Sequence, residues 1–150
     1  PWSMGMTGMG EHLPYFENHV RLSKEKKDQW GMPLLEIDCE FKENEVSMSK
    51  DILQTGVEMM ETAGFKNVKA SDSGQPPGLG IHEMGTARMG RDPKTSVLNK
   101  FNQIHSVKNV FVTDGSAMTS SGNVNPSLTY MALTARAVKH AVSELKKKNI

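Results

Sequence analysis

Residues 109–142, "NVFVTDGSAMTSSGNVNPSLTYMALTARAVKHAV", set an apolar run, an Asp-Gly pair, a small-residue loop and a helical pattern in that order. Val110–Thr113 is continuously β-branched and aromatic, which predicts a strand buried on both faces, as in a parallel α/β sheet. Asn125 is a favoured N-cap and Pro126 suits the first helical position, where a missing N–H costs nothing. Leu128, Met131, Ala132, Ala135, Val138, Val142 and Leu145 then recur at helical spacing and predict one apolar face. Lys146, Lys147 and Lys148 follow at the negative end of the helix dipole. A helix start after such a loop is a place where backbone N–H groups, here those of Ser127 and Leu128, converge on a group that is or becomes negative. A phosphate, a carboxylate or a flavin, which gains negative charge on reduction, satisfies that description.

Upstream, the pattern is of another kind. Residues 35–42, "LEIDCEFK", alternate Leu35, Ile37, Cys39 and Phe41 with charged residues, the signature of a half-buried antiparallel strand. "HLPYFENHVRLS" carries β-favouring residues around a turn at Asn18, and "SKEKKDQWGMP" reads as a polar loop. Residues 44–63 switch to three- and four-residue steps through Ile52, Leu53, Val57, Met60 and Ala63, with Asn44 as N-cap and Gly64 past the end. This helix is expected to cover the sheet. Residues 70–80, rich in Pro, Gly and Ser, form a loop that delivers the chain to "GIHEMGTARMGRDP", residues 80–93. There, one histidine, His82, sits in a run that suits neither helix nor strand.

Composition narrows the function. The 150 residues carry 18 basic and 17 acidic side chains, so the formal net charge of +1 provides no long-range field for nucleic acid or anionic lipid. A single cysteine, Cys39, supplies neither a disulfide nor a cysteine-based metal site. His12, His19, His105 and His140 lack metal-ligand spacing and are expected at the surface, and Thr86 breaks the H-E-x-x-H pattern that "HE" at 82–83 would begin. No apolar run approaches the roughly 20 residues needed to span a bilayer, so the chain reads as soluble, cytoplasmic or periplasmic. Arg88 is expected to pair with a nearby carboxylate or carbonyl, with an anionic substrate as the alternative, and the methionines are expected to pack, with an adaptable substrate mouth as the alternative for those of residues 4–9.

Residues 82–142 resemble the C-terminal part of the glucose-methanol-choline (GMC) family of FAD-dependent oxidoreductases. The likeness lies in His82 followed by "GTARMG", in "SVLN", in "VKNVFVTDGS", and in "GNVNPSLTYMAL". Residues 11–63 match the family's antiparallel substrate-binding sheet only in arrangement. The resemblance implies an α+β fold: residues 1–105 as substrate-domain segment with the catalytic loop, and 106–150 as the strand and helix that return into an α/β, Rossmann-like FAD domain. It implies His82 as the base for a hydroxyl proton and Asn125 as its active-site partner. It further implies that Asp114 and Gly115 approach the ribityl and pyrophosphate part of FAD, and that Asn125, Pro126 and Thr129 line its ring. The family's N-terminal G-x-G-x-x-G turn does not occur, since "GMTGMG" has the wrong spacing. The chain is therefore expected to be the C-terminal segment of a longer enzyme, partnered by the remaining N-terminal part. Alone, it should fold in its first two-thirds and bind FAD weakly or not at all. Oxidation of an alcohol or sugar is the expected activity, with a dehydrogenase favoured over an oxidase by the likeness of "HEMG" and "MGRDPKTSVLNK" to sugar-acid dehydrogenases. A hydroxynitrile lyase using the same histidine, and a truncated non-catalytic binding module, are the alternatives.

Overall fold

The computed structural model describes residues 2–150. Among these residues the α+β fold has two antiparallel two-stranded sheets and two long helices. Strand β1 (His19–Lys27) pairs with β2 (Pro33–Asp38) in the register Val20↔Ile37 and Leu22↔Leu35, which puts four apolar side chains on one face. The segment "SKEKK", expected as loop, extends β1. Asp28 makes the turn instead, its Oδ1 accepting the N–H groups of Trp30 and Met32 at 2.9 Å each. β2 stops at Asp38, short of the expected end at Lys42, because Asn18 takes over the chain there: its Oδ1 accepts from Glu40 N–H and its Nδ2 donates to Glu40 O.

Helix α1 (Glu43–Thr62) begins one residue before the expected Asn44 cap. Glu45 decides the boundary, since its Oε2 reaches back to the N–H of Lys42 at 3.0 Å, while Asn44 only donates to Glu45 Oε1. The other end follows expectation. Gly64 takes φ +92°, its N–H bonds to Glu61 O at 2.9 Å and that of Phe65 to Met60 O at 3.1 Å, the pair of bonds of a Schellman motif. The expected packing of α1 on the sheet is not found: Leu22, Leu35 and Ile37 remain exposed. The glycine-rich N-terminal segment covers the helix instead. A Cβ on Gly8 would collide with Ile52 and one on Gly10 with Met48, so the backbone lies directly on the apolar side of α1.

The most enclosed side chains, Leu98, Asn102, Ala117 and Ala137, all lie from residue 98 onward. Strand β3 (Gln103–Ile104) pairs antiparallel with β4 (Val107–Phe111), so the expected 110–113 strand begins earlier and belongs to a hairpin. Val107 and Val110 are exposed, not buried on both faces, because among the described residues β4 has β3 alone as partner. Asn102 adopts φ +61°, donates to Val112 O at 2.9 Å and accepts from Arg136 at 3.3 Å, tying the hairpin to the last helix, α2 (Ser127–Lys146). Phe101 stacks on His140 of α2 at 3.8 Å, and Thr134 Oγ1 donates to Thr113 O. These contacts select the Tyr130, Thr134, Ala137 and His140 side of the helix for packing, where a small residue and hydrogen-bonding groups permit close approach. The expected apolar face is consequently on the outside, with Leu128 78% and Met131 67% exposed. His12, bonded to Asn18, and His105, bonded to Ser96, are likewise half-buried and not free at the surface. Among the described residues no helix is long and apolar enough to cross a membrane.

Candidate functional site

A 3-10 turn, Gly115–Ala117, presses the strand–loop–helix unit against the loop that carries His82. Asp114 caps it, its Oδ1 accepting from the N–H of Ser116 at 2.9 Å and from the hydroxyl of the same residue. Gly115 leaves no room for a side chain: a Cβ there would stand 2.8 Å from Tyr130 Oη, 3.0 Å from Met84 Sδ and 3.2 Å from Glu83 O. The Asp-Gly pair thus fixes the distance between α2 and residues 83–84. Tyr130 closes the same corner, donating to Met84 Sδ at 3.5 Å. Burial pushes its phenol up, with the carboxylates of Asp114 and Glu83 adding to the effect, so it remains a proton donor across the neutral range.

Two residues 43 apart in the chain meet at this corner. His82 Nε2 lies 2.9 Å from Asn125 Oδ1, and His82 Nδ1 lies 2.8 Å from the carbonyl oxygen of Ile81. A backbone carbonyl only accepts, so Nδ1 carries a proton and donates it to Ile81 O. The amide of Asn125 can serve both states of the other nitrogen: Nδ2 donates to Nε2 when the ring is neutral, and Oδ1 accepts from it when the ring is an imidazolium. Asn125 is therefore not the helix cap. Pro126 occupies that position with no side-chain bond, and the Asn125 side chain is free to face the histidine.

Ile81 holds φ +66° although it is β-branched, and its side chain is 88% exposed. A backbone so placed costs roughly 1–3 kcal/mol, and Glu83 offsets it. Its Oε1 accepts from Gly80 N–H at 2.8 Å and Ile81 N–H at 3.1 Å. In the sequence, Glu83 carries no mark beyond its place after His82, and its contact partners are backbone atoms that no spacing reveals.

His82, Asn125 and Arg88 border one concavity, together with Met4, Met6 and Met9 of the N-terminal segment and Ile37 of β2. Its volume of about 2430 Å³ is well above the roughly 300–1,000 Å³ of a small-molecule pocket. Arg88 makes no ion pair among the described residues. Next to the His82–Asn125 pair, α2 begins with three amides, of Ser127, Leu128 and Thr129, that find no acceptor among the described residues; its first bond is Tyr130 N–H to Pro126 O at 3.0 Å. Thr129 is exposed in this turn and Pro126 is buried beneath it. No cluster of His, Cys, Asp and Glu that could hold a metal occurs among the described residues. Burial and the neighbouring Asp38 and Glu40 push the Cys39 thiol up, away from the thiolate form.

Residues 14–134 match the family model described as GMC oxidoreductase. The chain is 40% identical over 85% of its length to 2-methyl-1,2-propanediol dehydrogenase of Mycolicibacterium austroafricanum, covering 23% of that protein. It is 32% identical over 93% of its length to paromamine 6'-oxidase of Streptomyces fradiae, covering 25%. With the fructose dehydrogenase large subunit of Gluconobacter japonicus the identity is 31% over 91% of the chain, covering 24%. The chain spans about a quarter of the length of these relatives.

Proposed function

From the premise that this chain belongs to the GMC oxidoreductase family, we propose that it is the C-terminal segment of an FAD-dependent enzyme that oxidises an alcohol or sugar CH–OH group, with His82 as general base and Asn125 as its partner. The observation that carries this reading is the 2.9 Å approach of Asn125 to His82 Nε2 beside the free first turn of α2. Division of labour follows the chain: residues 1–105 serve the substrate side, and 106–150 return into the FAD-binding domain, where α2 and the exposed face of β4 join the N-terminal part of the enzyme. The exposed apolar side of α2 supports that docking, since a row including Leu128, Met131, Val138, Val142 and Leu145 is stable in water only when covered. Exposure of Val107 and Val110 supports the same for β4, which offers a free edge to a larger sheet.

The residues present fit a flavin, because unpaired N–H groups at a helix start favour the negative charge that its pyrimidine end gains. Bound there, the flavin supplies the acceptor for the hydride that leaves the substrate carbon. Ser127, Leu128 and Thr129 would hold it through their amides, Pro126 and Asn125 would line it, and Asp114 with Gly115 would approach its ribityl and pyrophosphate part. His82 Nε2 accepts the hydroxyl proton, its Nδ1–H staying on Ile81 O throughout. Asn125 steadies the resulting imidazolium through Oδ1, so the proton is held beside the reacting oxygen without a second titrating group. The relatives' names, a diol dehydrogenase and a fructose dehydrogenase among them, support a hydroxyl-bearing substrate, and a dehydrogenase is the preferred form.

Anaerobic mixing of the flavin-loaded enzyme with a panel of diols and sugars tests the reading. Loss of the oxidised flavin absorbance is expected with at least one of them. Persistent absorbance together with cyanohydrin cleavage would assign the same histidine to lyase chemistry instead.

A further inference from the structure

We propose that Glu83 is a positioning residue that sets the tautomer of His82, an inference that rests on the reading of His82 as the base. Glu83 turns back on its own chain: the N–H groups of Gly80 and Ile81 both point at its Oε1, at 2.8 and 3.1 Å. Successive amides converging on one oxygen form a nest, an arrangement that prefers an anion. Closing it requires Ile81 at φ +66°, in the left-handed region that a β-branched residue otherwise avoids. That conformation turns the Ile81 carbonyl to His82 Nδ1, 2.8 Å away. The carbonyl has no proton to give, so Nδ1 carries it, and the unshared pair of the neutral ring stands on Nε2, the nitrogen that faces Asn125.

The order of cause runs from carboxylate to nest, from nest to the Ile81 backbone, and from that backbone to the protonation pattern of the ring. Remove the carboxylate and two amides lose their acceptor, the strain at Ile81 is no longer opposed, and its carbonyl swings away. The imidazole is then free to protonate Nε2, which is useless as a base. Glu83 Oε1 is occupied by backbone, while the main chain of the residue is held against the Gly115 turn. It acts through His82 and not on a substrate.

Since both amides meet a single oxygen, glutamine can replace it: the amide oxygen of E83Q accepts the same two bonds. Nitrogen NMR of the 15N-histidine-labelled flavin-loaded enzyme, above the pH at which the ring loses its charge, reads the tautomer directly. Wild type and E83Q are expected to show His82 protonated at Nδ1 and bare at Nε2, and E83A a mixture with substantial Nε2–H. A wild-type ring protonated mainly at Nε2 would overturn the proposal without any variant, and so would an E83A ring that keeps the wild-type pattern. In the flavin-loaded enzyme, E83A is expected to lower kcat about tenfold with little change in KM, and E83Q to restore it. Full kcat in E83A would also overturn the proposal. The two readings fail separately: undiminished turnover in H82A removes His82 as the base, whereas the NMR pattern tests Glu83 irrespective of turnover.

Discussion

Asn125 Oδ1 and His82 Nε2 stand 2.9 Å apart across 43 residues of chain. The contact is made because Pro126, not Asn125, stands at the cap of α2, which leaves the asparagine side chain to the histidine. A neutral amide there can face either protonation state of the ring by turning over, whereas a carboxylate can face only one.

Asn125→Asp puts a negative charge where the amide was. An opposite charge within hydrogen-bond reach favours the imidazolium over the neutral ring. The ring is a base only when neutral, so flavin reduction on the acid side of the pH profile is expected to slow relative to wild type. Profiles that coincide would separate Asn125 from the titration of His82.

Glu45 locks the segment at Leu13–Tyr15 to the start of α1, and acid should release it. Burial pushes its carboxyl up, but bonds from the N–H groups of Leu13 and Lys42 and from Asn44 Nδ2 outweigh burial and hold it at about 2, below the 4.5 of a free glutamate. A carboxyl lowered on folding contributes its stability above the unfolded value and loses it as pH falls through the folded one. Urea unfolding at several pH values should show wild type losing stability from about pH 4.5 towards 2. Glu45→Gln should be less stable at pH 7, by about 1–3 kcal/mol, and should lose less on acidification. Parallel curves would contradict this account.

Gly115→Ala tests the corner between α2 and the His82 loop. Its Cβ would enter a space bounded at 2.8 to 3.2 Å by Tyr130, Met84 and Glu83, so a loss of about 1–3 kcal/mol is expected. Gly122→Ala, where a Cβ meets nothing within 4 Å, should be nearly neutral. Thermal unfolding of the two variants measures the contrast, and equal midpoints would deny Gly115 its spacing role.

What the amino-acid pattern made legible, and what it hid, divides along the reach of each interaction. Gly64 could be read as a helix stop because the left-handed conformation it supplies is a property of one residue. His82 and Asn125 stood out through their neighbours. The face that α2 would bury could not be read, because periodicity locates an apolar stripe but not what covers it: Leu128 and Met131 lie outside, while Ala137 and the His140–Phe101 stack lie within. The same limit applies to β4, whose β-branched run suits a larger sheet although among the described residues it has one partner. Asn44 lost the cap to Lys42 because Glu45 bonds backward, and local propensity does not report such a choice. Glu83 was hidden for a similar reason, since its partners are main-chain amides.

The central claim is that His82 and Asn125 act as one unit on the substrate hydroxyl. A double-mutant cycle on the rate of anaerobic flavin reduction tests it most directly, using H82A, N125A and the double variant. Removing the base should cost at least the roughly 10² typical of general-base loss. Residues that act together are strongly non-additive, so the double variant should be little slower than H82A alone. An H82A rate equal to wild type, or effects that multiply in the double variant, would contradict the account.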